Sequence, residues 1–188
     1  DGTTKAFPKG VTGYDIAESI GPGLLRASIA IKVDSELKDL EYKILNDSSI
    51  ELLTNKDEEA HDILLHSTAH LLAQSIKEIF PEAKIAIGPA LKETFYYDID
   101  VDEVINEDVL LVIEKKMLEI SKRAYKVSRQ EFSYDEAIKL FKDLNEDYKV
   151  EIISEIENDD KISAYSQGDF LDLCRGPHVP NTKNIKYF

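Results

Sequence analysis

The sequence predicts an α+β fold in two parts. Residues 1–57 form a small mixed unit, and residues 58–188 form a larger one in which a long helix packs on an antiparallel sheet. Three observations predict this. The stretch Glu58 to Phe80, EEAHDILLHSTAHLLAQSIKEIF, carries Leu65, Ala69, Leu72, Ile76 and Ile79 on one stripe at helical spacing and is stopped by Pro81. Short alternating or β-branched stretches lie on both sides of it, too short for buried helices. Turn and cap residues separate these stretches, and Thr54-Asn55-Lys56-Asp57 marks the boundary between the two units.

In chain order, Asp1-Gly2 is a hairpin-turn dipeptide. It implies a strand before residue 1, with Thr3 to Phe7 as the returning strand, so the first unit is expected to lack its first strand. Thr12 caps a helix from Gly13 to Ile20, with Asp15 at the capping-box position, and Gly21-Pro22-Gly23 ends it. Ser28–Val33, Glu36–Asp39 and Ser49–Thr54 read as strands, giving a four-stranded sheet crossed by one helix. Thr54 or Asn55 is expected to cap the long helix. Lys84–Ile87 and Thr94–Val101 are the next strands. Asn106 caps a helix from Glu107 to about Ala124, with Leu110, Ile113, Met117 and Ile120 on its inner face. Lys126–Phe132 is a strand, and Ser133 with Glu136 is a capping box for a helix to about Leu144. Tyr148–Ile153 is β-branched in a charged context and fits either class. Ile162–Tyr165 and Phe170–Leu173 form a hairpin around Gln167-Gly168.

At 188 residues and 43% apolar the chain can bury a real core. It contains no apolar run long enough to span a membrane, and its start is not a signal peptide. A single cysteine cannot close an internal disulfide, which fits a reducing cytoplasm. The net charge is -14. This argues against a dedicated nucleic-acid-binding domain, so any polyanion needs a local basic patch or a surface elsewhere. Lys115, Lys116, Lys122, Arg123, Lys126 and Arg129 are the best such cluster, although Glu114 and Glu119 beside them suit an ordinary solvated face.

Of four histidines and one cysteine, three histidines and the cysteine fall into two short motifs. His66 and His70 are i and i+4, so their rings project side by side from a half-buried rim of the helix. Cys174-Arg175-Gly176-Pro177-His178 is a C-x-x-x-H on a Gly-Pro turn. Together they supply four ligands of zinc-compatible type. The blander alternative is two rim histidines and a buried thiol, each satisfied by hydrogen bonds. Ser67 stands where a zinc-protease helix carries Glu, which excludes that class. Asp172, two residues before Cys174 on a strand, adds a carboxylate facing the same way.

HSTAHLLAQSIKEIFP, IAIGPALKETFYYDID, DYKVEII and FLDLCRGPHVPNT, in this order, resemble the editing domain of bacterial-type threonyl-tRNA synthetase. The first part, with IGPGLLRASIAIKVDSEL, resembles that enzyme's TGS domain, a β-grasp fold. The resemblance implies a TGS-like unit over 1–57 and an editing, aminoacyl-tRNA deacylase domain over 58–188. It also implies that the ligation and anticodon-binding domains lie beyond Phe188, with most of the tRNA-gripping surface. The family's editing domain hydrolyses serine mischarged on threonine tRNA. Such a step is needed because one methyl discriminates by only about 1–3 kcal/mol at the activation site.

Carried over residue by residue, the resemblance makes His66 and Lys149 the groups around the hydrolytic water and the scissile ester. Asp172 would bind the substrate ammonium, and His70, Tyr97, Cys174 and His178 would wall the pocket. It implies no metal or other cofactor here, ATP and zinc belonging to the ligation domain. Alanyl-tRNA synthetase editing domains resemble this one too and bind zinc at the four positions His66, His70, Cys174 and His178, so a zinc-dependent deacylase is the alternative. A TGS-containing RNA-binding or regulatory module without catalysis is the other. The expected partners are a tRNA 3′ end carrying serine and the rest of a synthetase chain, homodimeric at full length. The expected location is the cytoplasm.

Overall fold

The structure, a computed structural model, describes residues 2–88, 93–156, 161–186 and 188. Asp1, named above as part of a turn, and Pro89–Lys92 lie outside the described residues.

The chain opens with helix α1 (Gly13–Ile20), held by the predicted capping box of Thr12 and Asp15. Helix α2 (Pro22–Ala27) follows at once. The sequence reading took Gly21-Pro22-Gly23 as a stop only, but Pro at the first helical position also starts a helix, because its fixed φ suits it and its missing N–H is not needed there. Strands β1 (Ser28–Val33), β2 (Glu36–Lys38) and β3 (Ile50–Thr54) form an antiparallel sheet in the order β2-β1-β3. This sheet has three strands, not four. Thr3–Phe7 is not a strand: residues 2–7 carry no regular structure. Both edges of β1 are already taken, and the early segment does not add to an outer strand.

Helix α3 (Glu58–Ile79) runs through the middle of the molecule. Its cap differs from expectation. Asp57 is the N-cap and makes no side-chain cap bond; its carboxylate instead turns back to accept from the backbone N–H and hydroxyl of Thr54. The helix is buried on more than one stripe. From Ser67 to Ile76 every residue except Leu72 is buried, so the polar ones must find partners. Thr68 and Ser75 donate to Leu64 O and Leu71 O, one turn back, and Gln74 accepts from Gln167 at 2.9 Å.

Strands β4 (Lys84–Ile85) and β5 (Ile99–Asp100) make a short pair. The alternation over Thr94–Val101 predicted a longer strand; the regular pairing covers Ile99–Asp100, although Asp98 still accepts from Ala86 N and donates to Ile87 O. Helix α4 (Glu107–Arg123) is capped by Asn106 as expected, but its inner face is Ile113, Met117 and Ile120. Leu110 is exposed, together with Leu111 and Val112. Strand β6 (Val127–Phe132), helix α5 (Tyr134–Asp143) with its Ser133–Glu136 capping box, and helix α6 (Asp147–Ser154) follow. Helix α6 settles the ambiguous stretch: Lys149 and Ile153, four apart on one face, are its buried residues. Strands β7 (Ile162–Gln167) and β8 (Phe170–Leu173) are the predicted hairpin and complete an antiparallel sheet in the order β6-β7-β8.

Three apolar clusters hold these parts. Ile16, Ile31, Val33, Leu40 and Ile44 pack α1 on one face of the first sheet. Phe141, Ile153 and Ile162 pack α5 and α6 on the last sheet. The largest cluster joins Ile29, Ala30 and Leu53 of the first sheet to Ile63, Leu71 and Ile76 of α3 and to Ile113, Met117 and Ile120 of α4. An irregularity in register between Ser28 and Ala30 lets Ile29 join this face although Ile31 and Val33 lie on the other. The N-terminal segment therefore shares its core with α3. We expect Leu53→Ala, a truncation of a fully buried side chain, to cost about 2–5 kcal/mol, read by denaturant unfolding with circular dichroism.

Candidate functional site

Two local motifs from opposite ends of the second segment meet at one cleft. His66 and His70 project from α3, and Cys174 and His178 sit on the turn leaving β8. Their ligand-type atoms lie within 4.8 Å of one another. Cys174 Sγ is 3.2 Å from His66 Nε2 and 3.2 Å from His178 Nε2. His178 Nδ1 is 3.0 Å from Ser67 Oγ, which also accepts from Val179 N. Gly176 N donates to the sulfur at 3.2 Å. The turn requires glycine at 176: φ is +73°, and a Cβ would stand 1.9 Å from Tyr165 Oη.

Beside this cluster is a buried charged group. Lys149 Nζ lies 2.6 Å from Asp172 Oδ1 and donates to Ala86 O at 2.6 Å and Tyr97 Oη at 2.9 Å. The approach to Oδ1 is an ion contact outside hydrogen-bond geometry. Tyr97 in turn donates to Asp172 Oδ2, which is also 3.6 Å from His70 Nε2. Lys149 is 2% exposed and Asp172 0%. Gly88 allows Tyr97 this position, since a Cβ there would fall 2.1 Å from the tyrosine ring.

The cleft measures about 780 Å³ and is lined by His66, His70, Tyr97, Lys149 and Cys174, with exposed Arg129, Lys161 and Arg175 also on its wall. Two expectations change here. The resemblance puts Lys149 at the water and Asp172 at the substrate ammonium, yet both are buried, and α6 aims the lysine at the carboxylate. Asp172 and His178 do not line the cleft. Asp172 lies behind Lys149 and Tyr97 with its charge spent on them, and His178 lies behind Cys174, so neither presents itself to an entering molecule in this geometry.

The electrostatics follow from burial. Desolvation holds the His66 imidazole below its usual pKa, against the opposing pull of Asp172 and Asp39. It holds His70 and His178 well below, helped by their neighbouring rings. Burial pushes the Cys174 thiol up to about 12, against the Gly176 N–H that favours the thiolate. The Tyr97 phenol is raised well above its usual value by burial and by Asp172. The cluster is thus neutral at pH 7, next to one full ion pair. The four donors are of zinc-ligand type and lie within 4.8 Å of one another, so they could gather around one ion.

Sequence reasoning missed Ser67, Tyr165 and Asp39. Ser67 stood inside the motif itself. Asp39 comes from the N-terminal segment, and no local pattern points to it.

The TGS domain model matches residues 1–54, and the model described as threonyl and alanyl tRNA synthetase second additional domain matches residues 162–188, which include Asp172, Cys174 and His178. The chain is 51% identical over all 188 residues to a threonine–tRNA ligase of Nitrosomonas eutropha, of which it covers 30%. It is 48% identical to those of Alkalilimnicola ehrlichii and Geobacter sp., covering 29% of each. The chain belongs to the threonyl-tRNA synthetase family, over its N-terminal region. It spans about 30% of the length of these relatives. The α+β architecture is as the sequence predicts. Among the described residues no helix is long and apolar enough to cross a membrane.

The shifts above generate two tests. At pH 8 a thiol of pKa about 12 is about one part in 10⁴ ionised, whereas a free cysteine is roughly a quarter ionised; alkylation of Cys174 should be at least about 100-fold slower than that of a cysteine peptide. The second concerns stability. The buried imidazoles have folded-state pKa values below the unfolded 6.5, so the unfolded chain binds more protons. Their contribution is complete above about pH 6.5 and is lost as pH falls. In chelator, the urea midpoint should decrease steadily from pH 7 toward pH 5.

Proposed function

We propose that this chain is the editing region of a threonyl-tRNA synthetase and hydrolyses the ester of serine mischarged on threonine tRNA. The observation that carries the reading is the cleft itself. His66 and Lys149 open onto one wall of a pocket whose floor is neutral and closely hydrogen-bonded. The partners under this reading are the tRNA 3′ end and the remainder of the synthetase.

An aminoacyl ester is already activated, so its hydrolysis requires a placed water and stabilisation of the developing oxyanion. His66 is half-buried and neutral near pH 7, with a ring nitrogen fit to orient a water or accept its proton. Lys149 supplies a fixed positive charge, held by three oxygens before any substrate arrives, which is the arrangement that stabilises an oxyanion without reorganisation. Asp172, expected at the substrate ammonium, serves here to anchor Lys149 and Tyr97. Cys174 and His70 set the width of the pocket, where the extra methyl of threonine must be rejected. Cys174 stays a thiol and acts as wall rather than nucleophile. Arg129, Lys161 and Arg175 bring positive charge to the cleft of an otherwise acidic chain, suited to the terminal phosphates, although Glu131 partly engages the first two.

The donor geometry favours one second reading, a zinc-dependent deacylase of alanyl type with His66, His70, Cys174 and His178 as ligands. Zinc there would polarise water and hold the thiolate.

The experiment measures release of serine and of threonine from the corresponding charged threonine tRNAs, with and without chelator. We expect the wild type to hydrolyse the seryl ester and spare the threonyl ester in chelator. His66→Ala should slow hydrolysis by about 10²–10⁴-fold and Lys149→Ala by about 10²–10³-fold, with circular dichroism checking that the buried Asp172 left behind does not unfold the chain. Activity lost to chelator and restored by zinc would sink the metal-free mechanism in favour of the alanyl type. Intact seryl-tRNA with folded wild type would sink the hydrolase reading altogether.

A further inference from the structure

We infer that Asp39, on the N-terminal segment, is a positioning residue of the cleft, which makes that segment part of the site rather than an appendage to it. Asp39 directly follows β2, more than a hundred residues before the turn it meets. Its Oδ1 accepts from His178 N at 2.8 Å, and its Oδ2 accepts from Tyr165 Oη at 2.6 Å. The Tyr165 ring packs on the His178 ring with centroids 4.4 Å apart, and the same hydroxyl occupies the space that glycine leaves open at 176.

The backbone N–H and both ring nitrogens of His178 are therefore assigned. Its backbone N–H goes to Asp39, Nδ1 meets Ser67 and Nε2 meets Cys174. Of these, the Asp39 bond is the one that holds main chain rather than a rotatable ring, between the points where Ser163 O holds Cys174 N and Ser67 Oγ holds Val179 N. A hydrogen bond to a carboxylate is stronger and shorter than a neutral one. Burial disfavours the charge on Asp39 and holds its carboxyl above the usual range, and the two donors with Arg129 offset this in part. The rest of the first sheet is already held to α3 by Ile29, Ala30 and Leu53, so the carboxylate is presented by a rigid support. Two further ion pairs, Lys32–Glu59 and Lys126–Glu41, tie the segments on either side. The bonds from Asp39 are the ones among these that end on the Cys174–His178 turn.

The inference rests on the hydrolytic reading only for its kinetic arm. Cys174 is the only cysteine, so its alkylation rate reports the turn without any activity. Asp39→Ala should speed alkylation about tenfold and lower kcat for the seryl ester by a similar factor, with KM little changed, since a charged hydrogen bond to the main chain is removed. Asp39→Asn retains an acceptor for His178 N and can donate to Tyr165, so both quantities should return to within about threefold of wild type. Tyr165→Phe, which leaves the His178 bond in place and keeps the ring, should show about a threefold increase in alkylation. Ile44→Ala weakens the same segment in its own core without touching the cleft and should leave both quantities at wild-type values at equal or greater loss of stability.

Wild-type alkylation in Asp39→Ala would overturn the inference. So would an Ile44→Ala variant that matches it, or an Asn variant that fails to rescue. If Asp39→Ala does not fold, Asp39→Asn and Tyr165→Phe decide by the same readout. If the wild type releases no serine, the functional reading falls while the alkylation series still decides the role of Asp39.

Discussion

The Lys149–Asp172 ion pair is the constraint around which this molecule is built. Two full charges are placed where water does not reach, at 2% and 0% exposure. Desolvating such a pair costs several kcal/mol per ion, and mutual attraction returns this only if the remaining valences are filled. Here, apart from Asp172 Oδ1, which has only the ion contact, they are filled from separate elements. Helix α6 brings the ammonium, the end of β8 brings the carboxylate, the Tyr97 segment brings a phenol, and the segment after β4 brings the Ala86 carbonyl. The site exists only when all four are in register, so the pair specifies one arrangement more than it stabilises the fold. That cost is offset by the three apolar clusters, none of which contains either residue.

The charge distribution repeats this logic on the surface. The basic cluster singled out on and after α4 is largely neutralised: Lys116 and Arg123 engage Glu78 and Glu119, Lys126 engages Glu41, and Arg129 engages Glu131. Exposed pairs of this kind contribute little to stability, but they remove the cluster as a free polyanion-binding surface. On the cleft wall, Arg129 and Lys161 share Glu131, and Arg175 stands on the same wall as Glu155.

Local chemistry was legible in the sequence, and non-local chemistry was not. The capping boxes at Thr12 and Ser133 and the Asn106 cap gave helix starts directly, because the bonds span three residues. The four-residue cluster was legible because histidine and cysteine are scarce here and a scarce type concentrated in two motifs is informative. Asp57 misled the reading of the α3 cap because two carboxylates and a threonine within five residues permit several local bonding patterns. Leu110 misled the reading of α4 because periodicity locates a stripe but does not say how wide it is. The depth of Lys149 was not legible at all. Among 23 basic residues nothing local distinguishes the one whose partner lies more than twenty positions away. Asp39 was hidden for the same reason, at a greater distance along the chain.

Placing a neutral cluster against a fixed ion pair has a chemical consequence of its own. In a low-dielectric site, a charge acts over a longer range than it does in water, so Lys149 biases His70 and Cys174. It adds to the burial that keeps His70 neutral, and it favours the anionic form of Cys174 without overcoming desolvation. Around the His66, His70 and Cys174 cluster the nearest fixed charge is therefore the Lys149 ammonium, paired with Asp172. Under the proposed editing reading, shape would discriminate between substrates that differ by one methyl while the charge acts equally on both. That division suits a sieve, because a difference of one methyl is expressed in packing and not in charge. It also explains why the turn carrying Cys174 and His178 is fastened so heavily, by Asp39, Ser67, Tyr165 and the glycine at 176. Under that reading, a wall that moved by the width of a methyl would leave the ion pair intact and lose the discrimination.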